Sequence, residues 1–314
     1  MELIATQKFR KATVIPVTHV SWELELPGPF QIAESLTFEN VEGLLKPELF
    51  SLWRDMVSKR ERDELASCRF ALMHRFESGG HLGREEADSD DLAFKVFLCL
   101  RLIKPTKSDF QRIQIKFRDT GEPEVFSFQH PSLGPNVPDA ESLNQVELGD
   151  ISRLRILLPH FRDLAAKGPE NIRRAVRHFN VGYTELRDPA VQLVVWSMGI
   201  ESLFTTEEVP LSRKQLIARI DETVGLKTAI YERSPMREYI SEKTLSVGEL
   251  IADLMSLRDR FVHGQWIPAE WKKKKGRSSL AGEPINYSDV LREAASFILR
   301  TGILKHLEQR STTN

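Results

Sequence analysis

Cysteine is scarce: Cys68 and Cys99 are the two in 314 residues. Two isolated thiols make neither a disulfide framework nor a paired-cysteine zinc site. Each lies in an apolar stretch and reads as a buried, reduced thiol of a cytoplasmic protein. An excess of either charge is missing too. The 44 Lys and Arg residues face 45 Asp and Glu, a formal net charge of −1. No global field attracts nucleic acid, so any RNA contact has to be local. Long hydrophobic runs are also lacking. The most apolar window, 92–103, is interrupted by Lys95 and Arg101 and is too short to span a bilayer. The stretch from Met1 to Lys8 lacks the basic-then-apolar plan of a signal peptide. The expectation is a protein of the cytoplasm with no membrane partner.

Motifs for phosphate and metal are missing as well. There is no P-loop glycine pattern and no His-x3-His element. Gly79-Gly80-His81-Leu82-Gly83 is glycine-rich, but Glu85-Glu86 follow it and would repel a phosphate, so it reads as a loop. No metal and no other cofactor is expected. Internal repeats are absent, and the one biased tract is Lys272-Lys273-Lys274-Lys275.

What is present divides into two halves. In the first, Val20-Ser21-Trp22-Glu23-Leu24-Glu25-Leu26 alternates as a half-buried strand does, and Pro27-Gly28-Pro29 ends it. Residues 47–65 read as a charged helix entered at Pro47. Residues 90–103 read as an amphipathic helix opening on an acidic turn around Asp88–Asp91. Arg112 to Arg118 alternates cleanly and pairs with 124–128 as a hairpin, and 129–148 reads as an irregular connection. From there on the pattern is helical, with candidates at 150–167, 170–186, 189–204, 211–224, 228–240, 247–263 and 287–308. Gly168-Pro169 separates the first two, and Asp188 caps the third with Pro189 at its first position. The fold expected is an α+β domain over 1–148, of unknown role, followed by an all-α bundle over 149–314.

The most informative segment is Leu257-Arg258-Asp259-Arg260-Phe261-Val262-His263-Gly264. It sets an arginine five positions before a histidine, about 140° apart on an ideal helix. Both reach one phosphate if His263 lies at a helix end stopped by Gly264. A guanidinium clamps phosphate oxygens bidentately, and an imidazole moves a proton near neutral pH, which suffices to cut RNA without a metal. Arg69…His74 and Arg155…His160 carry the same spacing. The first lies in an apolar core window, and in the second Pro159 bends or ends the element.

Three segments occur in order: the helix from Val191 to Phe204, the helix Arg213-Lys214-Gln215-Leu216-Ile217-Ala218-Arg219-Ile220, and the Leu254–Gly264 segment. That order resembles the HEPN superfamily, specifically its Apea-like branch. There a helix carrying "ALE-L" precedes an "R-A" helix and a late "L-RS-hVHG" helix. Gly199-Ile200-Glu201-Ser202-Leu203-Phe204 stands for the first, and Asp259 takes the polar position after the motif arginine. The resemblance covers roughly residues 170–305 and leaves the N-terminal half unassigned. It implies a HEPN-like helical bundle that forms a homodimer, with two Arg-x4–6-His helices facing each other across a shared cleft. It further implies a metal-independent endoribonuclease of antiviral defence or a toxin–antitoxin system, with a regulatory partner protein. Other members have lost catalysis and bind nucleotides or partners only.

On this reading Arg258, His263 and Asp259 carry the chemistry, and single-stranded RNA is the substrate. The alternative for Arg258 and His263 is plain helix-end hydrogen bonding. Glu201 lies among apolar neighbours and calls for a cation, either Arg258 or Arg219. Arg260 is a solvent, interface or RNA residue. Lys272, Lys273, Lys274 and Lys275, close to Trp266 and Trp271, suit RNA phosphates beside stacked bases, or else form a solvated loop.

Overall fold

The computed structural model describes residues 11–53, 57–76, 82–106, 112–117, 122–129, 144–184, 186, 188–205, 211–230, 246–263, 279–280, 283–284 and 287–313. The N-terminal part contains an antiparallel sheet and the C-terminal part is mostly helical. The chain divides into two compact units. One comprises Met1–Leu100, Ser108–Gly134 and Gln145–Leu158; the other comprises Arg101–Lys107, Pro135–Asn144 and Pro159–Asn314.

In the first unit, β1 (Lys11–Pro16), β2 (Phe30–Ala33), β3 (Leu36–Asn40), β4 (Phe70–Phe76), β5 (Arg112–Phe117) and β6 (Pro123–Gln129) form one sheet. Their order is β2-β3-β4-β1-β5-β6, with every pairing antiparallel. Central β1 is apolar almost throughout because it is buried on both faces, with Ala12, Val14 and Ile15 fully enclosed. On one face Ala12, Val14, Ala71, Met73, Ile113, Ile115 and Val125 gather with Phe50, Val57 and Leu65. Phe50 comes from a 3-10 helix (Pro47–Trp53), and Leu65 from α1 (Lys59–Ala66), which Ser58 and Glu61 open with a reciprocal capping box. Toward the end of that face Arg75 donates to both carboxylate oxygens of buried Glu39, at 2.6 and 2.7 Å. Both cysteines are free and buried, and burial pushes the Cys99 thiol up to about 12.

Four local expectations change. The alternating stretch 20–26 is not a strand: Val20 makes one bridge, to Val146, and the chain then turns as Leu24 donates to the Ser21 carbonyl. Trp22 is left 75% exposed. The helix expected over 47–65 is a 3-10 segment followed by α1, because Ser58 starts a helix of its own. The next helix, α2 (Leu82–Ile103), begins before the acidic run rather than on it. Finally, α3 (Leu148–Lys167) does not end at Pro159 but contains it. A proline inside a helix costs about 3 kcal/mol, and burial of Leu157, Leu158, Phe161 and Leu164 offsets it. The hairpin is as expected, with Arg112 opposite Gln129 and Lys116 opposite Glu124.

The second unit contains α4 (Glu170–Thr184), α5 (Pro189–Phe204), α6 (Arg213–Thr223), α7 (Val247–Val262), α8 (Tyr287–Thr313) and a short hairpin of β7 (Ser279–Leu280) and β8 (Glu283–Pro284). Residues 228–230, the start of one expected helix, form a turn with a bridge from Ala229 to Ser246, and 231–240 lie outside the described residues. Asp188 caps α5 as expected, accepting from Ala190 N and Val191 N. Packed against α4, α6, α7 and α8, α5 is the hub of the bundle. That explains why its sequence is apolar on most sides. The α4–α5 hairpin closes on Trp196, whose Nε1–H donates to the Phe179 carbonyl at 3.2 Å. Gly182 makes room for that indole: a Cβ there would lie 2.2 Å from Nε1. Two helix ends are held by cations of other helices. Arg219 donates to the Phe204 carbonyl at 2.6 Å, and Lys305 donates to the Thr223 carbonyl. Among the described residues, no helix is long and apolar enough to cross a membrane.

Candidate functional site around Arg258

Helix α7 is delimited on both sides by local chemistry. Ser246 and Glu249 form a capping box at its start. At its end His263 is the C-cap, with its backbone N–H donating to the Asp259 carbonyl at 3.1 Å. The apolar stripe Leu250, Ile251, Leu254, Met255 and Leu257 is buried, which turns Arg258 toward the border of the bundle. There α5 brings Glu201.

The guanidinium of Arg258 is held by two carboxylates. Its Nη2 donates to Glu201 Oε2, and its Nη1 donates to Asp259 Oδ1 at 2.8 Å. The side chain is 28% exposed, and its Nε is buried with no partner among the described residues. Desolvation on its own would lower the Arg258 pKa. The Asp259 hydrogen bond and the charges of Glu201 and Asp259 outweigh it, so the group is held above its ordinary value. One positive charge therefore faces two negative ones. A phosphate reaching this guanidinium must compete with the two carboxylates, and a half-exposed pair can be exchanged in that way.

Of the two cations open to Glu201, the structure selects Arg258; Arg219 is occupied at the Phe204 carbonyl. Asp259 orients Arg258 of its own chain. His263 is exposed, five positions beyond Arg258, and its imidazole makes no hydrogen bond or ion pair among the described residues. Arg260 is exposed on the same helix. Gly264, Trp266, Trp271 and Lys272 to Lys275 lie outside the described residues.

The rival spacings have structural tasks. Arg69 donates to the Trp22 and Leu24 carbonyls, and His74 on β4 bonds Ser35, just ahead of β3, at 2.9 Å. Arg155 lies over the Phe30 ring at 5.1 Å. Sequence reasoning passed over further Arg-x4–6-His spacings, among them Arg173…His178 on α4 and Arg300…His306 on α8. His178 Nδ1 and His306 Nε2 are buried without partners among the described residues. Burial first, then Arg177 and Arg174, lower the His178 pKa; burial, then Arg310, lower that of His306. The signal that would have found the α4 group is its run of arginines at helical spacing.

Elsewhere, an open depression of about 630 Å³ on α1 is lined by Lys59, Arg60, Asp63, Glu64 and Ser67. Its walls are solvated charges, Arg60 and Glu64 pairing at 2.9 Å, and it carries none of the chemistry of α7. Among the described residues, no three His, Cys, Asp or Glu side chains gather as a metal site. Comparison of the chain with protein-family models, curated proteins and solved structures finds no match.

Proposed function

We propose that the helical unit is a HEPN-like bundle of the Apea-like branch, acting as a metal-independent endoribonuclease in the cytoplasm. The observation that supports this reading is the cluster on α7. Arg258 is held by Glu201 and Asp259 at the border of the bundle, with an unencumbered His263 at the helix end. In the reaction, the 2′-hydroxyl of single-stranded RNA attacks its own phosphorus. One His263 takes the hydroxyl proton as the bond to phosphorus forms. The bond to the 5′-oxygen breaks, and that oxygen receives a proton from the partner subunit's His263. The products are a 2′,3′-cyclic phosphate and a 5′-hydroxyl end, with no water consumed. Arg258 moves from Glu201 to the phosphorane oxygens, where charge develops. A homodimer supplies both histidines. The N-terminal unit and a regulatory partner would control access, as in antiviral defence or toxin systems.

A second reading, a non-catalytic interaction or nucleotide-binding module, is favoured by the same guanidinium. Two carboxylates hold it, and phosphate must compete with both. RNA cleavage by the purified protein in EDTA separates the readings. The ribonuclease predicts cyclic-phosphate ends from wild type, with folded Arg258→Ala and His263→Ala each losing at least about a hundredfold in rate. Cleavage that persists in both variants rejects the site, and absence of cleavage in all three supports the second reading.

A further inference from the structure

Helices α4 and α7 both pack on α5 and make little contact with each other. They occupy its two flanks. Gly199 of α5 faces α4 and α8 together, where an added Cβ would lie 3.0 Å from His178 Cβ and 2.9 Å from Leu299 Cδ2. Glu201 faces α7, through Arg258. At about 100° per residue, Met198 points between these two directions. It is 41% exposed, with Val195 and Ser202 half-buried on the same strip. A solvent-facing strip of α5 thus runs between α4 and the Arg258 cluster.

The α4 flank of this strip is basic. Arg173, Arg174 and Arg177 are exposed within little more than one turn, about 6 Å of helix. Glu170 pairs with Arg173 and with Arg174, the latter at 3.2 Å, and is the acidic residue of α4. These are exposed pairs that bind weakly and exchange readily for another anion. The antiparallel alignment of α4 and α5 is set by three bonds: Asn171 to the Thr205 carbonyl, Trp196 to the Phe179 carbonyl, and Gln192 to the Gly182 carbonyl. They bring Arg174 level with Ser202, and Arg177 level with Met198. The arginines therefore stand beside the half of α5 that carries Glu201, in a chain whose overall charge is −1.

We propose that the solvent face of α5 is the track of a single RNA strand, with Arg174 and Arg177 holding phosphates on one flank and Arg258 meeting the scissile phosphate on the other. The choice of ligand rests on the ribonuclease reading above. Val195 and Met198 supply an apolar floor for the bases, and methionine adapts to any of them. Arginines reading phosphates and an apolar floor beneath bases give affinity without sequence preference.

The test measures binding of a short 2′-O-methylated oligoribonucleotide, which has no free 2′-hydroxyl and is not cut, to the full chain by fluorescence anisotropy over a salt series. Arg174→Ala/Arg177→Ala should weaken binding at least about tenfold. It should also flatten the slope of log affinity against log salt by about 1.4, the value for two phosphate contacts on a single strand. Arg174→Lys/Arg177→Lys should keep the slope. Lys59→Ala/Arg60→Ala, an exposed basic pair on α1, should change neither quantity. Wild-type affinity and slope in Arg174→Ala/Arg177→Ala overturn the track, as does a wild type that does not bind this oligonucleotide at low salt. The cleavage reading fails separately, by cleavage that ignores Arg258 and His263, because binding here is read on a strand that cannot be cut.

Discussion

Replacing Gly182 by alanine pits helix propensity against packing, and the structure decides the sign. In an exposed helix the change stabilises by about 1 kcal/mol. Here the new methyl carbon would sit 2.2 Å from Trp196 Nε1, 2.6 Å from Cε2 and 2.8 Å from Cδ1. Trp196 cannot step aside: it is fully buried, with Tyr183 at 4.9 Å between ring centroids and its N–H committed to the Phe179 carbonyl. Overpacking of a core costs about 1–3 kcal/mol, and stranding the indole donor adds about 1 kcal/mol or more. The balance is a net loss of about 2 kcal/mol, or roughly 5 °C in the thermal midpoint. Gly149, in the first turn of α3, has nothing within 4 Å of an added Cβ. Gly149→Ala should therefore hold or slightly raise the midpoint. Circular dichroism melts of both variants beside wild type check the pair. A Gly182→Ala protein as stable as wild type, or more so, would refute the packing argument.

Acid should destabilise the helical unit through two histidines. The His178 and His306 pKa values are lowered in the fold, so the unfolded chain binds more protons as the pH falls below the ordinary histidine value near 6.5. Stability present above that pH is lost as pH drops through the folded values, and His178→Asn should flatten the decline in a denaturant series between about pH 7 and pH 5. In the sheet unit, Glu39→Ala leaves half-buried Arg75 without its bidentate partner. A loss of about 3 kcal/mol is expected in urea unfolding. The double replacement Glu39→Leu/Arg75→Met should recover much of it, whereas equal losses in the single and double variants would contradict an ion-pair origin.

The sequence carried the helices well where local chemistry marks their ends. Asp188-Pro189 announces α5. It misled where a partner lies far away. The alternation at 20–26 needs a neighbouring strand, and among the described residues it makes a single bridge, Val20 to Val146. Pro159 was a stop signal overridden by the leucines and phenylalanine that the same helix buries. At the candidate site, the need of Glu201 for a cation was legible from its apolar neighbours. Which cation answers it was not, because Arg219 and Arg258 sit on different helices and only the packing on α5 brings one of them into reach. The α4 arginines were visible as residues, but their place beside Met198 depends on the alignment of two helices.

The cations at the helix ends link those ends in time as well as in space. The last carbonyl of α5 depends on a side chain of α6, and that of α6 depends on a side chain of α8. A terminal turn normally frays by itself, since water takes over its carbonyls at little cost. Here the α5 terminus loosens only if Arg219 lets go, and the α6 terminus only if Lys305 does. Amide protons in the final turns of α5 and α6 should thus exchange with solvent as one slow cooperative group, shared by segments more than a hundred positions apart in the chain, from about residue 200 to Lys305.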